Sequence, residues 1–484
     1  MKKHFTSTRF SLIITILLGQ AAAFQLWAQT PDTDIRIHVR GVYETKISLL
    51  PLAGADAFKS IVEVDGVKSG ETGQLTVPAD YLPGEFVLRF DYKDKESSAP
   101  YPAEKHVFVN NQDLELWVNP PFSNNADSTR YQQGERENAA FVAFSKENDK
   151  LKSQISLLQS VLMNYEDTGS GFYQQSIEEY ARQRQIYNQW LANAALKDKA
   201  LFVSNLYRFN YVPEMSSLQG SGTDRIKGLI SHYFDGMDFS DPLILKTAQL
   251  SKWMDGYVNL YGQLSASIAL RDSLFPAAAK TAIEKAKLGH PQVYGWMVDY
   301  FYKGFESNNI PAGMKALEPY INDPNCLTTK RLEINKRLQG MEKLVAGNSA
   351  PNISMTDIDH KAFELDTYKS NSDYILLLFW SAGCGHCAEL IKELQPWYAQ
   401  TAARQKVEVV GISLDETELD IKTWEQQIAE LKGWKHLHAA EGINSKVAND
   451  YFILSTPVMF LLDAKTKKIV ALPENLAQLM GAIK

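Results

Sequence analysis

Apolar and polar residues alternate along three short runs near the start of the chain: Ile35, Ile37 and Val39; Phe86, Leu88, Phe90 and Tyr92; Leu114, Leu116 and Val118. A period of two places every second side chain on one face, so each run predicts a strand buried on one side. Turn-forming stretches at Gly54-Ala-Asp, Ser69-Gly-Glu-Thr-Gly and Leu82-Pro-Gly separate the runs. Their spacing suits antiparallel strands rather than strands joined by helices. Residues 31–118 therefore read as an all-β sandwich, and Asn119-Pro-Pro-Phe-Ser-Asn-Asn opens a linker over 119–134.

From residue 135 the period lengthens. Phe141, Phe144, Leu151, Ile155, Leu158, Leu162 and Tyr165 recur at three- and four-residue spacing, and Ile177, Tyr180, Tyr187, Trp190 and Leu191 repeat the pattern. Such spacing lines one face of a helix, so 135–345 is predicted to be helical. Tyr207, Phe209, Tyr211, Tyr233, Phe234, Phe239, Tyr294, Trp296 and Tyr300 are dense enough to suggest a groove, but a helical bundle needs large apolar anchors and core packing explains them more simply. His232 with Asp235, and His290 before Pro291, lack the partner spacing of a metal site.

The pattern changes a third time after residue 345. Tyr374 to Trp380 is a continuous apolar run of strand length, as expected of a strand buried on both faces. Ser381-Ala-Gly is a turn, Cys384 opens a helix predicted to reach about Arg404, and Val407 to Ser413 is a second buried strand. A helix over 417–431 follows, then a strand from Pro457 to Leu462, a turn, a strand from Lys468 to Leu472 and a closing helix from Glu474. Residues 346–484 are thus an α/β domain, and the whole chain is multidomain: all-β, then all-α, then α/β.

Composition narrows the function. The chain has 484 residues, 45% hydrophobic and 22% charged, which suits a protein that folds in water. Lys and Arg number 50 against 57 Asp and Glu, and no segment gathers the basic residues into a phosphate-binding face, so nucleic acid is not an expected partner. Lys2, Lys3 and Arg9 flank an apolar run from Phe10 to Leu18, and small residues follow at Ala21, Ala22, Ala23 and Ala28. The apolar run is far shorter than the roughly 20 residues that span a bilayer, so residues 1–28 read as a signal peptide and the expected location is the periplasm or cell envelope.

An exported chain with only three cysteines is not a disulfide-stapled scaffold. Cys326 stands alone and reads as structural, whereas Cys384 and Cys387 enclose Gly385 and His386 at a strand-to-helix junction. There the free amides and positive end of the helix favour a thiolate at Cys384, the attacking residue of disulfide exchange. Cys387, one turn on, is placed to resolve the mixed disulfide. His386 can add positive charge and a hydrogen bond near the Cys384 sulfur and is the third catalytic candidate. A zinc site needs two more ligands, and His436 and His438 are one residue apart instead of the usual three to five, so no metal is expected. A peroxidatic cysteine is also disfavoured, because Phe379-Trp-Ser-Ala-Gly-Cys384 supplies neither Pro nor Thr.

These motifs together resemble the thioredoxin-fold domain of the TlpA/ResA class of exported thiol-disulfide oxidoreductases. The resemblance rests on Ser349-Ala-Pro-Asn-Ile, Phe379-Trp380, Cys384-Gly-His-Cys387, Val410-Gly-Ile-Ser-Leu-Asp415 and Tyr451-Phe-Ile-Leu-Ser-Thr-Pro457 followed by Val458-Met-Phe-Leu-Leu-Asp463. It implies a thioredoxin fold over 346–484, with Pro457 cis and facing the cysteine pair. The backbone of Thr456 would hold an extended substrate segment as an added strand. Thr456, Pro457 and Trp380 are the substrate-binding candidates. The resemblance also implies cysteine-containing exported proteins as partners, a membrane thiol-reductant relay as electron source, and no cofactor beyond a redox-active Cys384–Cys387 disulfide. Departures occur at Gly383, where such proteins often have Trp, at Lys392, where many have Pro, and at Leu378, where thioredoxin has a buried acid. Glu389, the nearest carboxylate, is expected to be solvated. The upstream half resembles more weakly the β-sandwich and helical region of multidomain exported redox proteins, through Leu82-Pro-Gly-Glu-Phe and His232-Tyr-Phe-Asp-Gly-Met-Asp-Phe-Ser-Asp241. The expected function is thiol-disulfide exchange; the competing one is an envelope peptide- or glycan-binding protein whose thioredoxin-like domain is an interaction module.

Overall fold

The computed structural model describes residues 32–483 apart from 124, 126–127 and 217–219. The segment read as a signal peptide lies outside the described residues. The chain divides into two compact units, Met1–Lys146 with Asp198–Val203, and Glu147–Lys197 with Ser204–Lys484.

The first unit holds β1 (Thr33–Val39), β2 (Glu44–Pro51), β3 (Val62–Lys68), β4 (Thr72–Val77), β5 (Gly84–Lys93), β6 (Tyr101–Val109), β7 (Leu114–Val118) and β8 (Arg130–Tyr131). They form two four-stranded sheets, ordered β4-β1-β7-β8 and β3-β2-β5-β6. The alternating residues explain why both sheets share one core: Ile35 and Ile37 of β1, Leu114 and Leu116 of β7, and Phe86, Leu88 and Phe90 of β5 point into it, all 3% exposed or less. β8 falls inside the stretch read as a linker. It is ordered because Tyr131 pairs with Leu116 and packs on that core. The first turns of α1 (Glu137–Asn164) also belong here. The Glu137 carboxylate accepts the amides of Phe202 and Val203 at 3.0 Å each, which ties 198–203 to this unit.

The second unit begins with a helical region. It contains α2 (Gly171–Lys197), α3 (Ser204–Tyr207), α4 (Gly222–Ser231), α5 (Gln249–Leu264), α6 (Ile268–Lys287), α7 (Pro291–Ser307), α8 (Pro311–Ala316), α9 (Glu318–Ile321) and α10 (Arg331–Lys343). The aromatic residues are spent on packing: Phe239, Tyr294 and Phe301 are in the core, and Tyr233, Phe234, Trp296 and Tyr300 lean on it. Cys326 is completely buried in the same core, where burial pushes its thiol up to about 11.

The α/β region adds β9 (Ser354–Thr356), β10 (Ala362–Glu364), β11 (Tyr374–Trp380), α11 (Gly385–Tyr398), α12 (Thr401–Lys406), β12 (Val407–Ser413), α13 (Glu418–Ile428), β13 (Lys435–His438), α14 (Lys446–Asp450), β14 (Val458–Asp463), β15 (Ile469–Ala471) and α15 (Leu476–Ala482). Its five-stranded sheet runs β13-β12-β11-β14-β15, with β11 parallel to β12 and antiparallel to β14. β11 has no polar face because the sheet is covered on both sides. Ile375, Leu377 and Phe379 enter one core, and Leu376, Leu378 and Trp380 enter the other. Among the elements that depart from the sequence reading are a shortened helix and an added edge strand. The helix expected to reach Arg404 stops at Tyr398, because Gln400 turns to an extended backbone and the Arg404 side chain caps the Tyr398 carbonyl at 3.2 Å. The edge strand β13 was not foreseen: Lys-His-Leu-His is too short and too polar to signal a strand and is recruited by pairing with β12.

Candidate active site

β11 ends at Trp380 and α11 begins at Gly385, so the four residues between them form the junction that carries Cys384. Cys384 is the N-cap of α11, and its Sγ accepts the amide of Cys387 at 3.2 Å. A sulfur at that position stands in for the Ser or Asp oxygen that usually satisfies the first free amides of a helix. It lies where a sulfur anion meets an N–H donor and the positive end of the helix. Cys384 is half-buried, whereas Cys387, on the inner side of the helix, is 1% exposed and packs with Leu376, Leu378 and Leu390. Both are free thiols.

The third wall of the site comes from far along the chain. The Thr456–Pro457 peptide is cis, and the antiparallel register that sets Val458 opposite Phe379 brings it to the end of β11. There the Cys384 thiol donates to the Thr456 carbonyl at 3.4 Å. Thr456 and Pro457 are both partly exposed beside the half-buried Cys384. Burial pushes the Cys387 thiol up, and its hydrogen bond with Cys384 adds to the effect. The Thr456 side chain and the Ser381 backbone act against it by hydrogen bonding to the charged form.

Two sequence expectations need correction. Trp380 is fully buried beneath the junction and is not available to touch a substrate. Its indole lies on the inner face of β11 over Gly411 of β12, where an added Cβ would come 3.2 Å from Trp380 Nε1. The apolar position and the missing side chain across the sheet together draw it inward. His386 forms no hydrogen bond with Cys384. Its ring is in solvent, with Nδ1 3.5 Å from Glu389 Oε2 one turn on, because the second residue of the helix projects away from the sheet. Glu389 is solvated, as expected, with 82% of its side chain exposed. His436 and His438 do not converge on the cysteines as ligands. His438 Nε2 meets the Asp415 carbonyl at 2.8 Å, and burial lowers the His436 pKa.

One buried carboxylate beside the turn was not singled out by the sequence reading. Asp415, 1% exposed, accepts the Ser381 hydroxyl at 2.5 Å and the Ala382 amide at 2.9 Å on Oδ1, and the Ser413 hydroxyl at 2.7 Å on Oδ2. Asp415 was visible only as the last residue of a family motif. An acid straight after a buried strand was the signal that could have found it, since a carboxylate buried there requires donors from a neighbouring loop.

Residues 371–469 match the family described as Thioredoxin-like. The chain is similar to a thiol-disulfide oxidoreductase ResA of Bacillus cereus, with 31% identity over 132 residues that cover 27% of this chain and 69% of that protein. It is similar also to ResA of Bacillus thuringiensis subsp. konkukian, with 29% identity over 131 residues, 26% of this chain and 69% of the other. Among solved structures, a thioredoxin-like protein from Bacteroides caccae is 19% identical and aligns over 56% of this chain and 96% of its own, at a TM-score of 0.38.

Proposed function

This chain belongs to the ResA-like thiol-disulfide oxidoreductases of thioredoxin fold, and from that premise we propose that it is an exported enzyme exchanging disulfides with cysteines of envelope proteins through Cys384 and Cys387. The observation that carries the proposal is the position of the Cys384 sulfur. It sits half-exposed between the Cys387 amide at 3.2 Å and the Thr456 carbonyl at 3.4 Å, with a second, buried thiol one turn away. In the reducing direction the Cys384 thiolate attacks one sulfur of a substrate disulfide. An S–S bond forms between Cys384 and the substrate, and the other substrate sulfur leaves as a thiolate. Cys387 then gives up its proton, to the leaving thiolate or to water, and attacks the Cys384 sulfur. The substrate departs as a dithiol and the chain keeps the two-electron oxidised Cys384–Cys387 disulfide. The Thr456 hydroxyl and Ser381 backbone are the groups that ease loss of the Cys387 proton.

The disulfide itself carries the electrons, with no bound cofactor or metal, and a membrane thiol-reductant relay returns the pair to the dithiol. Thr456 and Pro457 receive the substrate backbone beside Cys384, and the upstream region positions the partner. Residues 1–28 direct the chain to the periplasm or cell envelope, and nucleic acid has no part in its function. The test is a Cys387→Ala variant incubated with envelope proteins. It is expected to accumulate covalent adducts through Cys384 that dithiothreitol releases, because the resolving thiol is gone. Absence of adducts, or adducts that persist when Cys384 is also replaced, would show that the pair does not exchange disulfides.

A further inference from the structure

The turn between β11 and α11 has little secondary structure to hold it. Within it the amide of Cys384 reaches the Ser381 carbonyl at 3.2 Å, and Ser381 and Ala382 are held by one side chain that lies two residues beyond the end of the next strand, β12. That side chain is Asp415. Besides the contacts already given, its Oδ2 lies 3.1 Å from the Ala382 amide, so three of its four accepted bonds come from the two residues that precede Gly383-Cys384. The Asp415 amide in turn donates to Ser413 Oγ at 3.2 Å, and its carbonyl meets His438 Nε2. Among the described residues no cation pairs with this carboxylate. Neutral donors alone satisfy it, and such charge-assisted bonds are about twice as strong as neutral ones.

Ser381 links this anchor to both cysteines. Its hydroxyl is held by Asp415, its carbonyl holds the Cys384 amide, and its backbone bears on the Cys387 sulfur. We propose that Asp415 is the positioning residue of the cysteine pair. Acting through Ser381 and Ala382, it fixes the turn that sets the two sulfurs against each other and against Thr456, so that the thiol-disulfide equilibrium of the pair depends on a carboxylate that touches neither sulfur. This inference rests on the disulfide-exchange reading above and extends it to a residue outside the Cys-Gly-His-Cys motif.

The test uses the full chain carrying Ser381→Ala, Asp415→Asn or both. Asp357→Asn serves as control, because Asp357 is another buried carboxylate of the same domain, bonded to the amides of Asp359 and Lys361 and to Lys435. Each is equilibrated with glutathione, in which the dithiol and one glutathione disulfide give the protein disulfide and two glutathione thiols. Thermal midpoints are recorded beside the equilibrium constants. Ser381→Ala and Asp415→Asn are each expected to move the constant by about fivefold, the factor carried by the net strength of one hydrogen bond. The double variant should move it no further than the larger single one, because both remove the same link. Ser381→Thr, which keeps the hydroxyl, should return it to within about twofold of the starting value, and Asp357→Asn should lower the midpoint and leave the constant within about twofold. A folded Ser381→Ala chain whose constant stays within about twofold overturns the proposal even if Asp415→Asn does not fold. So does an equal shift in Asp357→Asn, which would reduce the effect to general loss of stability. If the unaltered pair shows no reversible transition at all, the exchange reading itself falls and takes this inference with it, a result distinct from an unmoved constant.

Discussion

Iodoacetamide at pH 8, applied to the fully reduced and folded chain, is expected to modify Cys384 and to leave Cys387 and Cys326 untouched. Alkylation proceeds through the thiolate, so its rate follows the ionised fraction and the access of the reagent. An ordinary thiol of pKa about 8.5 is ionised to roughly one part in four at pH 8. Burial and the hydrogen bond with Cys384 push Cys387 up to about 12, which leaves roughly one thiolate in ten thousand at that pH. Scarcity of the thiolate alone therefore slows Cys387 by about three orders of magnitude against an ordinary thiol. Its 1% exposure slows it further, and the half-buried Cys384 has no such barrier. Intact mass after a timed pulse should show a single adduct that peptide mapping places on Cys384, with three adducts appearing when guanidinium is added first. Labelling of Cys387 within about tenfold of the Cys384 rate in the folded chain would refute the assignment of Cys384 as the attacking residue and Cys387 as the buried, resolving one.

Cys326→Ala is expected to cost about 1 kcal/mol in urea unfolding, from a small void in the helical core, and to leave the glutathione equilibrium of the other two cysteines unmoved; a moved equilibrium would give Cys326 a redox role. Because burial raises the folded-state pKa of Cys326 to about 11 and of Cys387 to about 12, the folded chain holds protons that the unfolded chain releases. Their stabilisation is complete below about pH 8.5 and is lost as pH rises through the folded values, on the order of 1–2 kcal/mol per cysteine by pH 10. Urea midpoints of the reduced chain at pH 8 and pH 10 measure this, and a Cys326→Ala chain that loses stability as steeply as the parent would count against it. Gly295→Ala on α7 should unfold at least about 3 kcal/mol more easily, because the new Cβ would lie 2.2 Å from the backbone carbonyl of Leu327; thermal melting within a degree or two of the parent would show that the 327–328 backbone can yield.

The parts of the site that were legible in the sequence are those fixed by neighbours along the chain. A strand followed by Ser-Ala-Gly and then Cys-Gly-His-Cys puts one sulfur at the helix N-cap and the other on its inner face, because helix geometry sets the i to i+3 relation wherever the helix lies. Thr456 and Pro457 came from family resemblance, and the structure brings the Thr456 carbonyl to the sulfur of Cys384, 72 residues away. Trp380 and His386 show the limit. The residue types suited an active site, but where each ring points depends on what stands across the sheet or in solvent. Gly411 makes room for the indole, and nothing draws the imidazole back toward the sulfur.

By itself, then, the sequence determined the order of the three regions and the spacing of the cysteine pair. Alternation sorted the β-rich region, the longer period sorted the helices, and an unbroken apolar run marked β11 as a central strand, since each pattern reports which faces must leave water. Tertiary structure alone decided what holds the pair in place. The parallel register of β11 and β12 sets Trp380 opposite Ser413. Asp415, two residues on, therefore falls beside Ser381 and Ala382, while the antiparallel register with β14 delivers Thr456 to the other side. Contacts between residues 34 and 72 positions apart follow from strand register, and register is set by the fit of two buried faces, which no local pattern contains.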